Sequence, residues 1–312
     1  MRRRAAAALA VTSLWLSAGC GGTEHEAADP VRVGPVATPA GPTGTEMPFA
    51  RFLPGDGELK EMQRAESVLL NSCMAEFGFR TRITAHSDAA LLADLRRGTT
   101  LPRTAQEARA YGFHNVPVEG GGRDGSAPGP GRQTRLLVLN GPDPRPAPDG
   151  APAAGPDREV NGRAVPPGGC AGRTERALAE GGPAESAAHP GNSALNTLLR
   201  LRSAAWAQAA ADPAYTGMTA AWSACMKRAG FSYRDFDAAA EDPAWTRTAT
   251  AGAREKAAAT ADLRCRTAVN YLGVSEAVHL AHERRAVRDN AATLASVKAH
   301  YDAVARNAAR VP

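Results

Sequence analysis

The sequence predicts a mainly α-helical protein: a disulfide-braced helical bundle of two related halves, with a disordered tether and a long Gly/Pro-rich insertion. Three observations carry that expectation. Alanine makes up much of the 43% hydrophobic content while aromatics supply only 5%, and alanine favours helix strongly while filling little core volume. Apolar residues recur at helical spacing in several windows, with capping residues at their starts. The motif Cys-Met-x-x-x-Gly-Phe occurs twice, at 73–79 and 225–231, each followed downstream by one further cysteine. The 31 glycines and 23 prolines concentrate in two stretches, leaving roughly 200 residues for an ordered core of modest size.

The first element, residues 1–19, reads as an export signal. Met1-Arg2-Arg3-Arg4 is followed by an almost wholly apolar run from Ala5 to Leu16 and then by Ser17-Ala18-Gly19-Cys20. A basic start, a run of about a dozen apolar residues and a small-residue exit are the parts of such a signal. The run is shorter than the roughly 20 residues a membrane-spanning helix needs, and the arginines hold its start in the cytoplasm. The exit resembles the lipobox of bacterial lipoproteins, with one departure: Ser17 stands where that family prefers Leu, and Leu16 lies one step earlier. The resemblance implies that Cys20 becomes the first residue of the mature chain and carries diacylglycerol, with palmitate-type chains, on its sulfur. Two or more acyl chains anchor a protein stably. An ordinary secretion signal cleaved near Ala18 or Gly19 would instead leave Cys20 a plain thiol. Residues 20–57, rich in Pro, Gly, Thr and Ala, are expected to be a flexible tether.

The first helical half, residues 58–185, opens with Leu59, Met62, Ala65, Leu69, Met74 and Phe77 near helical spacing. Ser87 can cap a helix over 88–97, and Thr104-Ala105-Gln106-Glu107 is a capping box for a short helix that stops at Tyr111-Gly112. Residues 116–169 form the insertion, expected to be mainly a mobile loop. Its single apolar run, Leu136-Leu137-Val138-Leu139, reads as a lone strand or a docking segment.

The second half, residues 190–312, is more regular. A helix starts at Asn192 or Ser193 and reaches Ala211. Asp212-Pro213 and Asp242-Pro243 are cap-then-proline starts. A helix from about Gly252 to Tyr271 carries Cys265 and ends at Gly273. From Ser275 to about Arg310 there is neither Gly nor Pro, which predicts one helix of about 50 Å. From Leu294 its apolar residues step alternately by three and four, as in a coiled-coil seam, with Glu283 and Asn290 interrupting the seam earlier. This helix is expected to pack on the chain's own Cys265 helix; a dimerising arm is the alternative.

Setting Cys20 aside, Cys73, Cys170, Cys225 and Cys265 are an even set in an exported chain, which reads as two disulfides. In each copy of the repeated motif a helix ends at a Gly suited to a left-handed cap, and the Phe can fold back on the last turn. Each copy then has its own downstream partner, giving the pairs Cys73–Cys170 and Cys225–Cys265. Structural zinc is disfavoured because the spacing lacks Cys-x-x-Cys.

For chemistry the sequence offers little. His279-Leu280-Ala281-His282-Glu283 lacks the His-Glu-x-x-His order of a zinc protease and reads as a solvated helix face, while His86, His114, His189 and His300 fall in loops or on polar faces. There is no Gly-x-Ser-x-Gly elbow, no Ser-x-x-Lys pair and no phosphate loop in its strand-then-helix context. No catalytic, cofactor-binding or metal-binding residue is assigned. Loss of Arg2, Arg3 and Arg4 takes the net charge from +5 to +2, and the remaining charges are interspersed, which speaks against nucleic-acid binding.

Together the lipobox, both Cys-Met-x-x-x-Gly-Phe copies, Glu107–Phe113, Val165-Pro166-Pro167-Gly168-Gly169-Cys170, Ala261–Arg266 and the long final helix resemble a group of secreted lipoproteins from high-GC Gram-positive bacteria, of actinomycete type. That resemblance implies an address at the outer face of the cell membrane and no activity. The leading expectation is a lipid-anchored, non-catalytic structural or binding module for an unidentified envelope partner or ligand. A cell-envelope hydrolase with a site between the halves, built from carboxylates such as Asp235, Asp237 and Glu241, is the second reading. A solute-binding lipoprotein of a transporter is the third, weakened by the absence of strand–helix alternation in the pattern.

Overall fold

The computed structural model describes residues 31–34, 36–80, 83, 89–116, 131–141, 159–183 and 193–312. Residues 1–19, where an export signal is expected, and Cys20, His86, Ser87 and His189 lie outside them. The body that begins at Arg32 is mainly helical. A 3-10 turn at Pro48–Phe52 leads into α1 (Asp56–Glu76), α2 (Ala89–Arg96), α3 (Ala105–Tyr111) and α4 (Arg132–Asn140). A two-stranded hairpin, β1 (Glu159–Val160) and β2 (Arg163–Ala164), then precedes α5 (Gly169–Ala179), α6 (Ser193–Ala210), α7 (Pro213–Arg228), α8 (Phe236–Ala240), α9 (Pro243–Thr246), α10 (Ala253–Ala268), α11 (Tyr271–Asp289) and α12 (Ala291–Ala308).

The repeated motif builds the same joint twice. Gly78 and Gly230 are left-handed, at φ +84° and +90°. Phe79 N–H donates to the Met74 carbonyl and Phe231 N–H to the Met226 carbonyl, both at 3.0 Å, the six-to-one bond that closes a helix end. One turn back, Cys73 of α1 is bonded to Cys170 of α5, and Cys225 of α7 to Cys265 of α10, each with Cα atoms 5.7 Å apart. Each disulfide sits in its own apolar cluster: Met74, Phe77, Val138 and Val165 surround the first, and Trp222, Met226, Ala239 and Ala261 the second.

The copies do not form separate lobes. α12, from the second half, packs on α1 and α5 of the first, while α3 of the first packs on α10 of the second. The largest core joins Phe49 and, from the first half, Leu59, Leu92 and Leu95 with Leu195, Leu198, Val287, Leu294 and Tyr301 from the second.

Several expectations are corrected. The tether does not extend to Gly57: Met47, Phe49 and Ala50 are buried, Met47 N–H donates to the Arg96 carbonyl at 3.0 Å, and three large side chains (Phe49, Phe52 and Leu53) join the main core. Leu136–Leu139 is part of helix α4, not a strand; Gly131 and Gly141, both at positive φ, bound it. Only Val138 of that run is fully buried while Leu136 is 42% exposed, so one flank of a helix meets the core. The insertion also holds the hairpin, whose turn residues Asn161 and Gly162 are both left-handed, the arrangement that suits a tight two-residue hairpin. Asn161 Nδ2 donates to the Phe77 carbonyl at 2.7 Å, tying the hairpin to the end of α1.

The long final helix is two helices. Asn290 leaves helical geometry at φ −120°, ψ 28°, and its Nδ2 donates at 2.8 Å to the Ala286 carbonyl, which also accepts the Asn290 backbone N–H at 3.1 Å, a local side-chain bond typical of asparagine at a helix end. The first of the two, α11, contacts the Cys265 helix as expected, whereas the seam residues Leu294, Val297, Tyr301 and Val304 of α12 are buried within the chain against α1, α5 and α6 instead. Gly273 does not end a helix. It lies in the first turn of α11, where a β-carbon would stand 1.9 Å from the Ala37 carbonyl oxygen; the turn before it is made by left-handed Asn270. Ser275 is buried inside α11 rather than opening it.

Candidate functional site

Helices α6 and α11 face each other through polar side chains. On α11, His279 and Glu283 are one turn apart, and on α6 so are Arg202 and Trp206; residues four apart share a helix face. Trp206 Nε1 donates to Glu283 Oε1 at 2.8 Å, and its ring stacks on His279 with centroids 4.3 Å apart and planes 12° apart. The Arg202 guanidinium lies 4.3 Å from the Trp206 centroid, and its Nε stands 3.3 Å from Glu283 Oε1. Glu283 is fully buried. Burial pushes its carboxyl above the usual carboxylate range, opposed by Trp206, Arg202 and the Phe49 backbone.

The imidazoles are held as firmly. His279 Nδ1 is 3.2 Å from Thr99 Oγ1, and the Tyr215 ring lies 5.9 Å from it. Burial, with Arg202 and His282 adding positive charge nearby, depresses the His279 pKa to about 4; the ring is neutral at physiological pH. His282 Nε2 is 3.1 Å from Asp212 Oδ2, while Asp212 Oδ1 accepts the Ala214 amide at 2.9 Å as the cap of α7. The expected solvated face is therefore overturned: His279, His282 and Glu283 are all buried. His300 is buried too.

Thr99 also lines a cleft of about 380 Å³ whose walls include Thr43, Thr45, Glu46 and Thr100. Thr43 and Thr45 hydroxyls donate to Glu276, and Arg96 pairs with Asp56 at the cleft. The cleft thus offers hydroxyls and charges on one side, with neutral His279 behind Thr99. Such a lining can orient a polar ligand by hydrogen bonds.

A second polar joint fixes α3 to α10. Glu255 Oε1 accepts from Phe113 N–H and from His114 Nδ1, both at 2.7 Å, and His114 Nε2 is 2.8 Å from the Thr248 carbonyl. Both ring nitrogens thus face oxygen acceptors, an arrangement that favours the protonated imidazole, and its pKa is raised by the Thr248 carbonyl and by Glu255. Two turns further along α10, Asp262 shares the single N–H of Arg266 Nε between its two oxygens, both at 2.9 Å, and accepts from Trp222 Nε1 at 3.0 Å, and Arg266 lies over the rings of Phe236 and Tyr271.

The carboxylates proposed for a hydrolase line neither of the two clefts described for this fold. Asp235 caps α8 by accepting from Ala238 N–H at 2.7 Å and pairs with Arg234, while Asp237 and Glu241 are exposed. Among the described residues no three His, Cys, Asp or Glu side chains are grouped to hold a metal ion, and no helix is long and apolar enough to cross a membrane. No protein-family model, curated protein or solved structure matches this chain.

Proposed function

We propose that this chain is an exported lipoprotein, anchored through Cys20 at the outer face of a cell membrane, whose helical body is a non-catalytic binding module for an envelope ligand or partner. The observation that carries the reading is the division of the five cysteines. Four are joined in two disulfides, chemistry that persists in oxidising compartments. The fifth, Cys20, stands directly behind a basic start, an apolar run and Ser17-Ala18-Gly19. In sequence, residues 21–31 stand between it and the helical body that begins at Arg32, and a short stretch of chain is enough to link a lipidated residue to a folded body. The resemblance to secreted lipoproteins of high-GC Gram-positive bacteria supports the same address.

The hydrolase reading is weakened because Asp235 is spent on a helix cap and Asp237 and Glu241 face solvent. The polar cleft beside Thr99 favours binding through hydrogen bonds. Fractionating cells that express the wild-type chain and Cys20→Ser tests the proposal. The wild type is expected in the membrane fraction, labelled by an alkyne-bearing palmitate analogue, and the variant unlabelled outside it. A Cys20→Ser chain that stays membrane-bound would contradict the anchor, and turnover of a cell-wall or lipid substrate, abolished by one substitution, would contradict the non-catalytic role.

A further inference from the structure

A second concavity, of about 440 Å³, opens where α3, α10 and the turn after α7 meet; its walls carry Arg109, Lys256 and Arg264 as well as Phe231, Thr260 and Ala261. No acidic side chain lines it. The carboxylates that could have balanced these cations are committed elsewhere: Glu107 accepts the Thr104 amide at 2.6 Å, Glu255 holds Phe113 and His114, and Asp262 holds Arg266 and Trp222. Among the described residues none of the three cations is in an ion pair. Lys256, Thr260 and Arg264 follow one another at steps of four along one face of α10, the α-carbons of the two cations about 12 Å apart along the axis, a span that two long side chains can close over a phosphate, with Arg109 on the opposing helix. Arg254, its guanidinium 5.9 Å from the Phe231 centroid, adds a fourth cation near the apolar wall.

We propose that this groove binds a small organic phosphate, its phosphate held among Arg109, Lys256 and Arg264 and its organic part laid against Phe231 and Ala261. Guanidinium forks match phosphate oxygens two at a time, and a lysine adds a mobile point charge. The volume falls within the roughly 300–1,000 Å³ usual for small-molecule pockets. The walls are set before any ligand arrives: the Cys225–Cys265 disulfide fixes α10 to α7, and Glu255, together with Arg103 donating to the Gly112 carbonyl, fixes the end of α3. Helices already fixed in place need no reordering when a ligand enters the groove. The inference does not depend on the lipid anchor.

Isothermal titration of the full-length Cys20→Ser chain, which removes any contribution from acyl chains, tests it with phenyl phosphate and inorganic phosphate as probes. Phenyl phosphate is expected to bind more tightly than inorganic phosphate and to weaken as ionic strength rises. The double variant Arg109→Ala/Arg264→Ala, at two exposed positions, should lose affinity by about tenfold or more with its thermal midpoint unchanged. Absence of binding by either probe at low salt, or affinity unchanged in the variant, would overturn the proposal. So would flotation with vesicles of equal phosphatidylglycerol and phosphatidylcholine, lost in the variant, without phenyl phosphate binding: that result assigns the cations to a membrane surface.

Discussion

A histidine kept neutral by burial makes a fold sensitive to acid, and His279 is so placed, stacked on Trp206 and facing Thr99. Its pKa is depressed from 6.5 to about 4, so the neutral ring contributes stability that is present above about pH 6.5 and lost as pH falls toward 4, on the order of 3 kcal/mol in full. Glu283 and Asp262 act with the opposite sign, since burial raises their carboxyls and a raised value favours the fold as pH falls. Denaturation of wild type and His279→Phe at pH 7 and pH 4.5 separates the two effects. Phe keeps the stack on Trp206 but cannot take a proton, so the variant is expected to lose less stability over that interval. At this scale the sequence was only partly readable. Thr104, Asp212 and Asp242 announce their helices by local chemistry and do cap them. The burial of His279, His282 and Glu283 was not announced, because their partners Trp206, Arg202, Asp212 and Thr99 are distant in sequence. The one available signal was that Glu283 falls on the apolar seam that continues to Leu294.

The helix ends show how far a local motif can determine an element. Gly78 and Gly230 close equivalent joints, but a β-carbon on Gly230 would meet open space whereas one on Gly78 would come within 3.3 Å of Asn161 Nδ2. Gly230→Ala should therefore cost about 1–2 kcal/mol, the strain of a left-handed non-glycine residue, and Gly78→Ala more, because the Asn161 bond to the end of α1 must shift as well. Urea unfolding of the two variants measures the difference. The Leu136–Leu139 run could not be settled from its own residues, since four apolar positions fit a strand or a helix equally. The structure resolves it through the close approach of α4 to α5: a β-carbon on Gly169 would lie 2.3 Å from the Gly141 amide nitrogen and 2.5 Å from the Leu139 carbonyl oxygen. The Asn161-Gly162 hairpin carried a clear turn signal, masked in composition by the surrounding Gly/Pro-rich insertion. The break at Asn290 comes without Gly or Pro: the asparagine side chain joins its own backbone N–H on the Ala286 carbonyl, a local bond that favours a helix end.

For the molecule as a whole, two sequential loops of 97 and 40 residues are closed by disulfides. By chain entropy these contribute about 5 and about 4 kcal/mol, against roughly 5–15 kcal/mol for a typical domain. The loops do not overlap, so Cys73→Ala/Cys170→Ala and Cys225→Ala/Cys265→Ala should destabilise nearly additively, with chemical denaturation of both pairs and their combination as the check. Negligible losses would mean that the interlocked helices, not the cross-links, hold the fold. Helix content, the duplicated joint and the cysteine pairs were legible because each repeats within a short window. The interlocking of halves was not, because α12 on α1 and α5, and α3 on α10, are contacts between faces far apart in the chain.

The most direct measurement is the intact mass of the chain extracted from membranes in detergent, alkylated before and after reduction. The account predicts a polypeptide starting at Cys20, heavier than residues 20–312 by a diacylglycerol group, and alkylated at four sulfurs only once reduced. An unprocessed chain with five free thiols would contradict it.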